Sequence, residues 1–537
     1  MTSKRTYRYR PASASRSPLM TARTRRRRRP RVMLLLAVVV LIGAGAYAVL
    51  GNASTAPDPS DEAAHTGETT TTAELENYVL AYPTFLGGGE RNTSGDGDAP
   101  SSLDLVWKVN VGSGLTARKS DNRLVTWSGT GWTGQPTLTY ENGIAYLVIG
   151  GYDHGLRRIE AESGSVVWRA ELDDVIKGTN TVYYDPYRPP GDRLVVVTGS
   201  RRGNDYDVGD PGIAPLRAFS FETSEEIWRL PISRSDNYSQ DVDASPLMVD
   251  GRLIVAIEPG YVLALDISEL TPTTDGHLQP TVVASSPALY TEEDIAAHAE
   301  NGGSNLALEG SPAVLGDRIY IASSSGHVYG LDRETLAIEW DFNPGGDFDG
   351  TVVVTPEDML LVGLEKQYVE HGGVFMLDPS KSPDECVVWF FATEDRGIGE
   401  WAGGVVGSVA IGTDANGAPI AAFNSVDGNL YVVSRDVMNG TSPSPDGNAK
   451  HPRPRLLFSD YVGGSIATPA VLGTRIVTCG LDNTVRLYEM TANGPETAFA
   501  EVDTFVADGP FESTPLLWDG RVYIGCRDGY LYCLGGQ

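Results

Sequence analysis

The sequence predicts an all-β, eight-bladed β-propeller preceded by one transmembrane helix and a disordered linker. Two observations predict the ring: a three-strand pattern recurs at intervals of roughly 40 to 75 residues, and a tryptophan follows several of the copies. A third observation, an uncharged run directly after an arginine-rich start, predicts the membrane helix.

The repeat is clearest near the C-terminus, where residues 513–534 read STPLLWDGRVYIGCRDGYLYCL. Asp519-Gly520 and Asp528-Gly529 favour the positive φ angles of two-residue hairpin turns, and the flanking runs are rich in β-branched and aromatic residues. Three strands this short cannot bury both faces of their sheet alone. Neighbouring copies must therefore cover them.

The chain contains seven further copies of this unit, four clear and three looser. The clear copies are Ile466–Glu489, Glu309–Asp332, Ala244–Asp266 and Gln135–Glu160, and the looser ones are Tyr184–Phe219, Gly350–Asp378 and Gly404–Val433. Radial repetition of such units leaves only short, protected sheet edges, which is the stable arrangement of a propeller.

A fourth strand carrying a tryptophan follows several copies, but the last unit reaches the C-terminus without one. The tryptophans in question are Trp168, Trp228, Trp340 and Trp389. Leu103–Val111, which contains Trp107, is predicted to supply the missing outer strand from the other end of the domain and so to close the ring.

The N-terminus predicts a membrane anchor. Residues 1–31 hold twelve Lys or Arg and no acid, which is typical of a cytoplasmic tail, and residues 32–50 are nineteen residues without a charge. Such a helix is about 28 Å long and can span a bilayer core of about 30 Å. A cleaved signal peptide ending near Gly51-Asn52-Ala53 is the alternative. Either way, the remaining chain is predicted to be extracytoplasmic.

Residues 51–102 are rich in Thr, Ser, Asp and Gly and are predicted to be a flexible linker. Tyr78–Leu86 is the exception, a segment expected to dock on the ring. Residues 103–537 form the predicted propeller. After residue 31 the chain has seventy acids against thirty Lys and Arg. This excess disfavours nucleic acid as a partner and favours basic polypeptides or cations, although general solubility explains it equally well.

The repeat, with endings such as DGYLYCL and turns such as EAESGSVVW at Glu160–Trp168, resembles that of PQQ-like (quinoprotein alcohol dehydrogenase-like) propellers. Among these the chain is most similar to BamB-like outer-membrane assembly factors. The resemblance implies that Trp107, Trp168, Trp228, Trp340 and Trp389 pack between blades.

The resemblance also raises the possibility of a PQQ-dependent dehydrogenase, whose relatives hold the quinone over adjacent cysteines beside Ca²⁺ and a catalytic Asp. Cys386, Cys479, Cys526 and Cys533 include no adjacent pair, and no Ca²⁺ ligand set aligns. We therefore predict no catalytic residues and no cofactor, with PQQ and Ca²⁺ as the alternative.

Acidic residues recur where each innermost strand begins. The loops that enter the inner strands share one face of a propeller with the second hairpin turns, so these acids would surround one mouth of the ring. The predicted mouth residues are Asp173, Asp241, Asp243, Glu309, Asp347, Asp349, Glu400, Trp401, Asp460, Asp508 and Glu512. Asp is also an ordinary turn residue, so turn chemistry alone accounts for part of this pattern.

Two further features belong to the predicted mouth. Trp401 would be an apolar or cation–π platform beside Glu400, or else a core residue that plugs the funnel. Thr291–Glu300 reads as a short helix capped by Thr291, which would form a partial lid.

These observations predict a membrane-anchored, extracytoplasmic propeller that acts as a protein- or peptide-binding scaffold. Its expected ligand is a basic peptide segment or a divalent cation. The alternatives are the quinoprotein dehydrogenase and a purely structural envelope scaffold.

Overall fold

The ring is built from eight four-stranded antiparallel blades, which confirms the predicted all-β propeller. The structure is a computed structural model that describes residues 77–118, 123–202, 214–237, 239–300, 305–399 and 401–536. In each blade the strands follow one another from the ring axis outward.

The strand bounds are as follows. Blade 1 comprises Thr137–Glu141, Ile144–Gly150, Gly155–Glu160 and Val166–Glu171; blade 2, Thr181–Tyr184, Leu194–Gly199, Leu216–Ser220 and Glu226–Leu230. Blade 3 comprises Leu247–Val249, Arg252–Ile257, Tyr261–Pro272 and Leu278–Ser285; blade 4, Ala313–Leu315, Arg318–Ser323, His327–Asp332 and Ile338–Phe342. Blade 5 comprises Val353–Val354, Leu360–Leu364, Gly373–Leu377 and Val387–Ala392; blade 6, Ala410–Thr413, Pro419–Asn424, Asn429–Pro443 and Lys450–Tyr461. Blade 7 comprises Ala470–Leu472, Arg475–Cys479, Thr484–Asn493 and Glu496–Val506; blade 8, Leu516–Trp518, Arg521–Gly525, Tyr530–Gly535 and Leu105–Asn110.

The first hairpin of blade 8 shows why the sequence folds this way. Asp519 and Gly520 have φ angles of 46° and 75°, so both turn residues adopt the left-handed conformation of a tight hairpin. Asp250 and Gly251 do the same in blade 3, at 50° and 75°. The Asp-Gly pairs thus fix the short reversals that the sequence predicts.

The predicted ring closure is confirmed. Leu105–Asn110 pairs antiparallel with Tyr530–Gly535, the third strand of the last blade, with Trp107 opposite Cys533 and Val109 opposite Leu531. The two ends of the ring sequence therefore share one sheet.

The five tryptophans lie at blade junctions. Trp228 and Trp389 are 1% and 0% exposed. In four of the five, the indole N–H donates to a backbone carbonyl of the next blade at 2.8–3.1 Å: Trp107 to Ala161, Trp168 to Phe221, Trp340 to Lys381 and Trp389 to Arg435. These bonds join neighbouring blades.

The predicted docking of Tyr78–Leu86 on the ring is confirmed. The linker prediction does not hold for the residues that follow, because the segment packs against the inner strands of the ring as far as residue 97. Tyr78–Tyr82 adds a strand to blade 1, and Gly95–Asp96 pairs in parallel with Leu516–Trp518 of blade 8. Between them, Gly89 and Glu90 accept hydrogen bonds from inner-strand N–H groups of blades 4 and 5. We call residues 77–97 the plug.

Arg91 holds the centre of the plug. Its guanidinium is 0% exposed and donates to the carbonyls of Pro312 (2.9 Å) and Ser245 (3.1 Å), which belong to blades 4 and 3. It also donates to Thr84 Oγ1 and to the carbonyl of Phe85 within the plug. The plug closes the face of the ring that carries the first hairpin turns, opposite the predicted acidic mouth.

Among the described residues, no helix is both long and apolar enough to cross a membrane. The predicted cytoplasmic tail (1–31), the predicted transmembrane helix (32–50) and the start of the predicted linker lie outside the described residues.

Candidate functional site: the mouth of the ring

A repeated tripeptide places one residue from each blade around the mouth. The tripeptide lies just before each inner strand. Its first residue varies, its second is Gly, Ala or Ser, and its third is Ser, Thr or, in blade 1, Gln. Backbone N–H groups at the third position donate to the hydroxyl of the next blade at 2.9–3.4 Å: Gln135 to Thr179, Ser245 to Ser311, Ser311 to Thr351, Thr351 to Ser408, Ser408 to Thr468 and Thr468 to Thr514.

The two remaining junctions are also bridged. The Ser245 hydroxyl donates to the carbonyl of Thr179 (2.8 Å), and the Thr514 N–H donates to the carbonyl of Thr133 (2.9 Å). In blade 2 a side chain at the middle position would collide with the adjacent blade, because a Cβ on Gly178 would lie 1.9 Å from the carbonyl oxygen of Asp243. This ring of bonds holds the first residue of every tripeptide at the same level.

We call those first residues the mouth ring. In blade order they are Thr133, Lys177, Asp243, Glu309, Asp349, Val406, Ile466 and Glu512. The order separates two kinds of surface. Blades 3 to 5 contribute acids, and blades 6 and 7 contribute apolar side chains.

Lys177 is the cation of the acidic side. Its Nζ forms an ion pair with Asp243 and lies 3.8 Å from Glu309 Oε2, so one ammonium bridges acids of two blades. Glu258, at a second hairpin turn, completes a group with Asp243 and Glu309 whose carboxylate oxygens lie within 4.8 Å of one another.

A second group of carboxylates belongs to blade 5. Asp347, Asp349 and Glu365 each bring one oxygen within 4.8 Å of the others. Glu365 is positioned by its backbone N–H, which donates to the carbonyl of Asp347 at 2.9 Å. Among the described residues no Lys or Arg forms an ion pair with this group, which we call the blade-5 carboxylates.

Burial and mutual repulsion make the blade-5 carboxylates costly to ionise. Burial, with Asp349 next, raises the pKa of Asp347 well above its usual range. Burial and Glu309 raise the pKa of Asp349 to about 7, and burial and Asp349 raise the pKa of Glu365 to about 9. A cation placed among these oxygens would relieve both costs.

The opposite side of the mouth is apolar. Trp132 packs with Val406, Val426 and Ile466, and Trp401 lies partly buried against this cluster. Trp132 also has its ring centroid 6.0 Å from Lys177 Nζ. Trp132 thus reaches from blades 6 and 7 towards blade 2 and fills the centre of the mouth, while Trp401 flanks it.

The other predicted mouth residues belong neither to the two carboxylate groups nor to the apolar cluster, although Glu512 is a member of the mouth ring. Asp173 is exposed and pairs with Arg217, and Asp241 is buried with its Oδ2 3.0 Å from Arg201 Nε. Asp460 belongs to the long outer strand of blade 6 and not to the loop after it, and it accepts a hydrogen bond from the Tyr488 hydroxyl at 2.8 Å. Glu512 pairs with Arg527 at 2.6 Å, Asp508 is exposed, and Glu400 lies outside the described residues.

Helix α1 (Glu292–Glu300) forms where the sequence predicts it and is capped as expected. The Thr291 Oγ1 accepts from the Asp294 N–H at 3.2 Å, and the Thr291 N–H donates to Asp294 Oδ2 at 2.7 Å. His298 stacks on Tyr368 at 4.3 Å, which brings the helix against the 364–373 loop of blade 5.

His327 attaches helix α1 to blade 4. Its Nδ1 lies 2.6 Å from Asp341 Oδ1, its Nε2 lies 3.3 Å from Asp294 Oδ2, and its ring stacks on Tyr329. Burial opposes the charged imidazole, but the bonds to Asp294 and Asp341 outweigh it and raise the pKa of His327 to about 9.

A pH-dependent stability follows from this raised pKa. The charged His327 contributes fully to the unfolding free energy below its unfolded-state pKa of about 6.5, and this contribution disappears as the pH rises through about 9. We expect the difference in unfolding free energy between the native chain and His327→Gln to shrink by up to about 3 kcal/mol over this range. Urea unfolding at several pH values measures it, and a difference that stays constant would contradict the ion pairs.

Sequence reasoning missed Lys177, Glu365 and Trp132. It searched for acids and so passed over a lysine, and nothing in the sequence places the distant Glu365 beside Asp347. The tripeptide that recurs before each inner strand can be recognised in the sequence. Aligning its copies would have identified Lys177 as the residue equivalent to Asp243.

The residues at the mouth do not fit the quinone that the resemblance raised. The four cysteines are buried in strands or beside them, and none is adjacent to another in sequence. A flat quinone on the ring axis would have to displace Trp132 from its apolar cluster. We therefore derive no redox step for this chain.

Comparison with known proteins finds a family model that matches part of the ring. Residues 98–341 match the family model described as outer membrane protein assembly factor BamB. No curated protein matches the chain.

Solved structures are similar to this chain at low sequence identity. Quinohemoprotein alcohol dehydrogenase from Comamonas testosteroni is 13% identical, with a TM-score of 0.50, covering 85% of this chain and 81% of its own. BamB from Moraxella catarrhalis is 15% identical, with a TM-score of 0.47, covering 81% of this chain and 100% of its own. At such identities the likeness concerns the fold alone.

Proposed function

We propose that this PQQ-like β-propeller, whose residues 98–341 match the family of the outer membrane protein assembly factor BamB, is an extracytoplasmic scaffold that binds a basic segment of a protein partner at its mouth. No catalytic group or cofactor is needed for this role. The family's name describes a factor in protein assembly, which supports a protein as the ligand and disfavours nucleic acid.

The observation that carries the proposal is the two-sided mouth ring. Blades 3 to 5 place the buried Asp243 and the partly exposed Glu309 and Asp349 at the mouth with one lysine among them. Blades 6 and 7 place the buried Val406 and Ile466 there, with the partly exposed Trp401 packed against them. A segment that alternates basic and apolar side chains can satisfy both sides together, since its charges meet acids while its apolar groups cover the tryptophan cluster.

Lys177 shows how a partner's ammonium group would be held. It bridges Asp243 and Glu309, whereas the neighbouring acid, Asp349, has no ion pair of its own among the described residues. The next cation to enter the mouth would therefore come from a ligand, and Asp349 with Glu309 would receive it.

The test is the binding of a synthetic lysine- and leucine-containing peptide to the purified full-length chain, measured by fluorescence anisotropy at several salt concentrations. Glu309→Gln is expected to weaken binding about threefold to tenfold, because it removes one charge from the receiving pair. Lys177→Gln removes the competing internal cation and is expected to strengthen binding.

Glu334→Gln is the matched control, since Glu334 is exposed on the opposite face of the ring. It should leave the affinity unchanged. Binding that is indifferent to salt, or that responds equally to Glu309→Gln and Glu334→Gln, would rule out the mouth as the site.

We also propose that residues 32–50 anchor the chain in the membrane, with 1–31 cytoplasmic and the ring outside, because an arginine run abuts nineteen uncharged residues. Protease added to intact spheroplasts should then remove the propeller and leave a short protected N-terminal fragment. Complete protection of the propeller would refute this orientation, and a free, soluble propeller in the wash would indicate a cleaved signal peptide.

A further inference from the structure

The outer wall of the ring exposes apolar side chains where blades 8 and 1 meet. In both outer strands the two residues before the tryptophan are large, apolar and 37–51% exposed: Leu105 and Val106 in blade 8, and Val166 and Val167 in blade 1. The two pairs adjoin, because a Cβ on Gly164 of blade 1 would lie 2.8 Å from the indole of Trp107. We call these four residues the rim patch.

The tryptophans beside the rim patch are the less buried ones. Trp107 and Trp168 are partly exposed, whereas Trp228, Trp340 and Trp389 are only 0–4% exposed. A tryptophan that stays partly open among exposed aliphatic side chains is typical of the centre of a protein–protein contact.

Blade 5 shows how the same sequence is covered elsewhere in the chain. Residues 387–389 read VVW, as residues 166–168 do, but there the tryptophan is buried and both valines are partly buried. The long outer hairpin of blade 6 lies over this strand. The Trp389 indole donates to the carbonyl of Arg435 (3.1 Å), and the Ala392 N–H donates to Ser442 Oγ (3.3 Å).

The hairpin that covers blade 5 is basic as well as apolar. Its second strand begins KHPRPRLL at Lys450, and the guanidinium carbon of Arg453 lies 4.7 Å from the ring centroid of Phe391 in the covered strand. The two strands of this hairpin have 15 and 12 residues. The corresponding strands of blade 2, next to blade 1, have five residues each and are too short to cover blade 1 in the same way.

The charge beside the rim patch is negative. Asp104 and Glu162 are exposed at its edges. The two cations near them are engaged, since Lys108 Nζ lies 4.2 Å from the ring centroid of Tyr530 and Arg169 donates to the carbonyl of Asp153 at 2.9 Å. A second copy of the chain would bring like charges together here, whereas a basic segment would be attracted.

We propose that the rim patch docks an extended segment of a partner protein that carries basic and apolar side chains, as the blade-6 hairpin docks on blade 5. The partner's apolar side chains would cover the two aliphatic pairs and the open faces of Trp107 and Trp168. Its basic side chains would meet Asp104 and Glu162. The rim patch lies on the outer wall, so this docking does not depend on peptide binding at the mouth.

The experiment uses a synthetic, fluorescently labelled peptide comprising residues 434–456, the part of the blade-6 hairpin that lies over blade 5. Its binding to the purified full-length chain is measured by fluorescence anisotropy. We expect saturable binding that weakens as salt is added. The double variant Val166→Ser/Val167→Ser should bind about tenfold or more weakly, because it removes apolar contacts without changing the charge. Both side chains are exposed, so its melting temperature should match that of the native chain.

Ile338→Ser is the matched control, because Ile338 is 39% exposed and also lies two positions before a tryptophan, but next to Glu339. It should leave the affinity unchanged, as should Glu309→Gln at the mouth. Weaker binding in Glu309→Gln would assign the peptide to the mouth and overturn the proposal. The absence of binding, or an equal loss in Ile338→Ser, would overturn it too.

Sedimentation velocity tests the other occupant of the rim patch. A native dimer that dissociates in Val166→Ser/Val167→Ser would show that the patch joins two copies, which contradicts a basic partner. The double variant should also leave the affinity for the lysine- and leucine-containing peptide at the mouth unaltered. Failure of one proposal is therefore distinguishable from failure of the other.

Discussion

Replacing Arg91 by alanine is expected to destabilise the ring by about 3–5 kcal/mol, a large share of the total stability of a domain. The guanidinium is fully buried and donates to carbonyls of blades 3 and 4 as well as to two acceptors in the plug. Truncation would leave these acceptors without donors and open a cavity between the plug and blades 3 and 4. Chemical unfolding of the variant and of the native chain measures the difference.

Arg252→Ala is the matched control. Arg252 also donates to two backbone carbonyls, those of Glu334 (2.8 Å) and Arg333 (2.9 Å), but at the partly exposed surface, where water can replace it. We expect it to cost less than about 1 kcal/mol. If both variants lost the same stability, Arg91 would not hold the plug in the ring.

The sequence was sufficient for the ring because its signals are local. Asp519-Gly520 specifies its own hairpin, and Trp107 could be matched to Trp168 by its position after a turn. The same matching located the closing strand, Leu105–Asn110, more than 400 residues from its partner in the chain. Because the units repeat, a contact between strands far apart in the chain can be predicted from a short local pattern.

Beyond the docking of Tyr78–Leu86, the plug could not be predicted in this way, because it is not a repeat and its bonds to the ring are long-range. Residues 87–97 read GGGERNTSGDG, a composition typical of a linker. What orders the segment is Arg91, whose partners Ser245 and Pro312 lie about 150 and 220 residues away. No local pattern marks this arginine as buried.

Several acids of the candidate site could be predicted from the sequence, but the residues that contact them could not. Asp243, Glu309 and Asp349 were identified from their places before inner strands, and the structure brings them close together. Their partners were not, because Lys177 breaks the acidic pattern and Glu365 enters from the far end of a second strand. Asp460 shows the converse: it follows the same acidic pattern, but its strand extends to Tyr461 and directs it to Tyr488.

Deleting residues 1–111 is expected to abolish the cooperative unfolding of the ring, whereas deleting 1–76 should leave the melting temperature nearly unchanged. The longer deletion removes both the plug and the strand that completes blade 8. Leu103 and Val111 would lose their buried positions, at about 1.5–3 kcal/mol for each fully buried apolar side chain, and the partly buried Trp107 would lose its contacts as well. Together with the lost strand pairing, this approaches the whole stability of a typical domain.

Deletion of 1–97 separates the two contributions, because it removes the plug and keeps Leu105–Asn110 in place beside Tyr530–Gly535. We expect this intermediate chain to melt cooperatively at a lower temperature than the 77–537 chain. The 112–537 chain, with an open edge on blade 8, should show no single transition by calorimetry and should aggregate. If the 98–537 and 112–537 chains melted alike, the closing strand would contribute nothing, and the integrity of the ring would have to rest on the inner hydrogen bonds between Ser245, Ser311 and their equivalents alone.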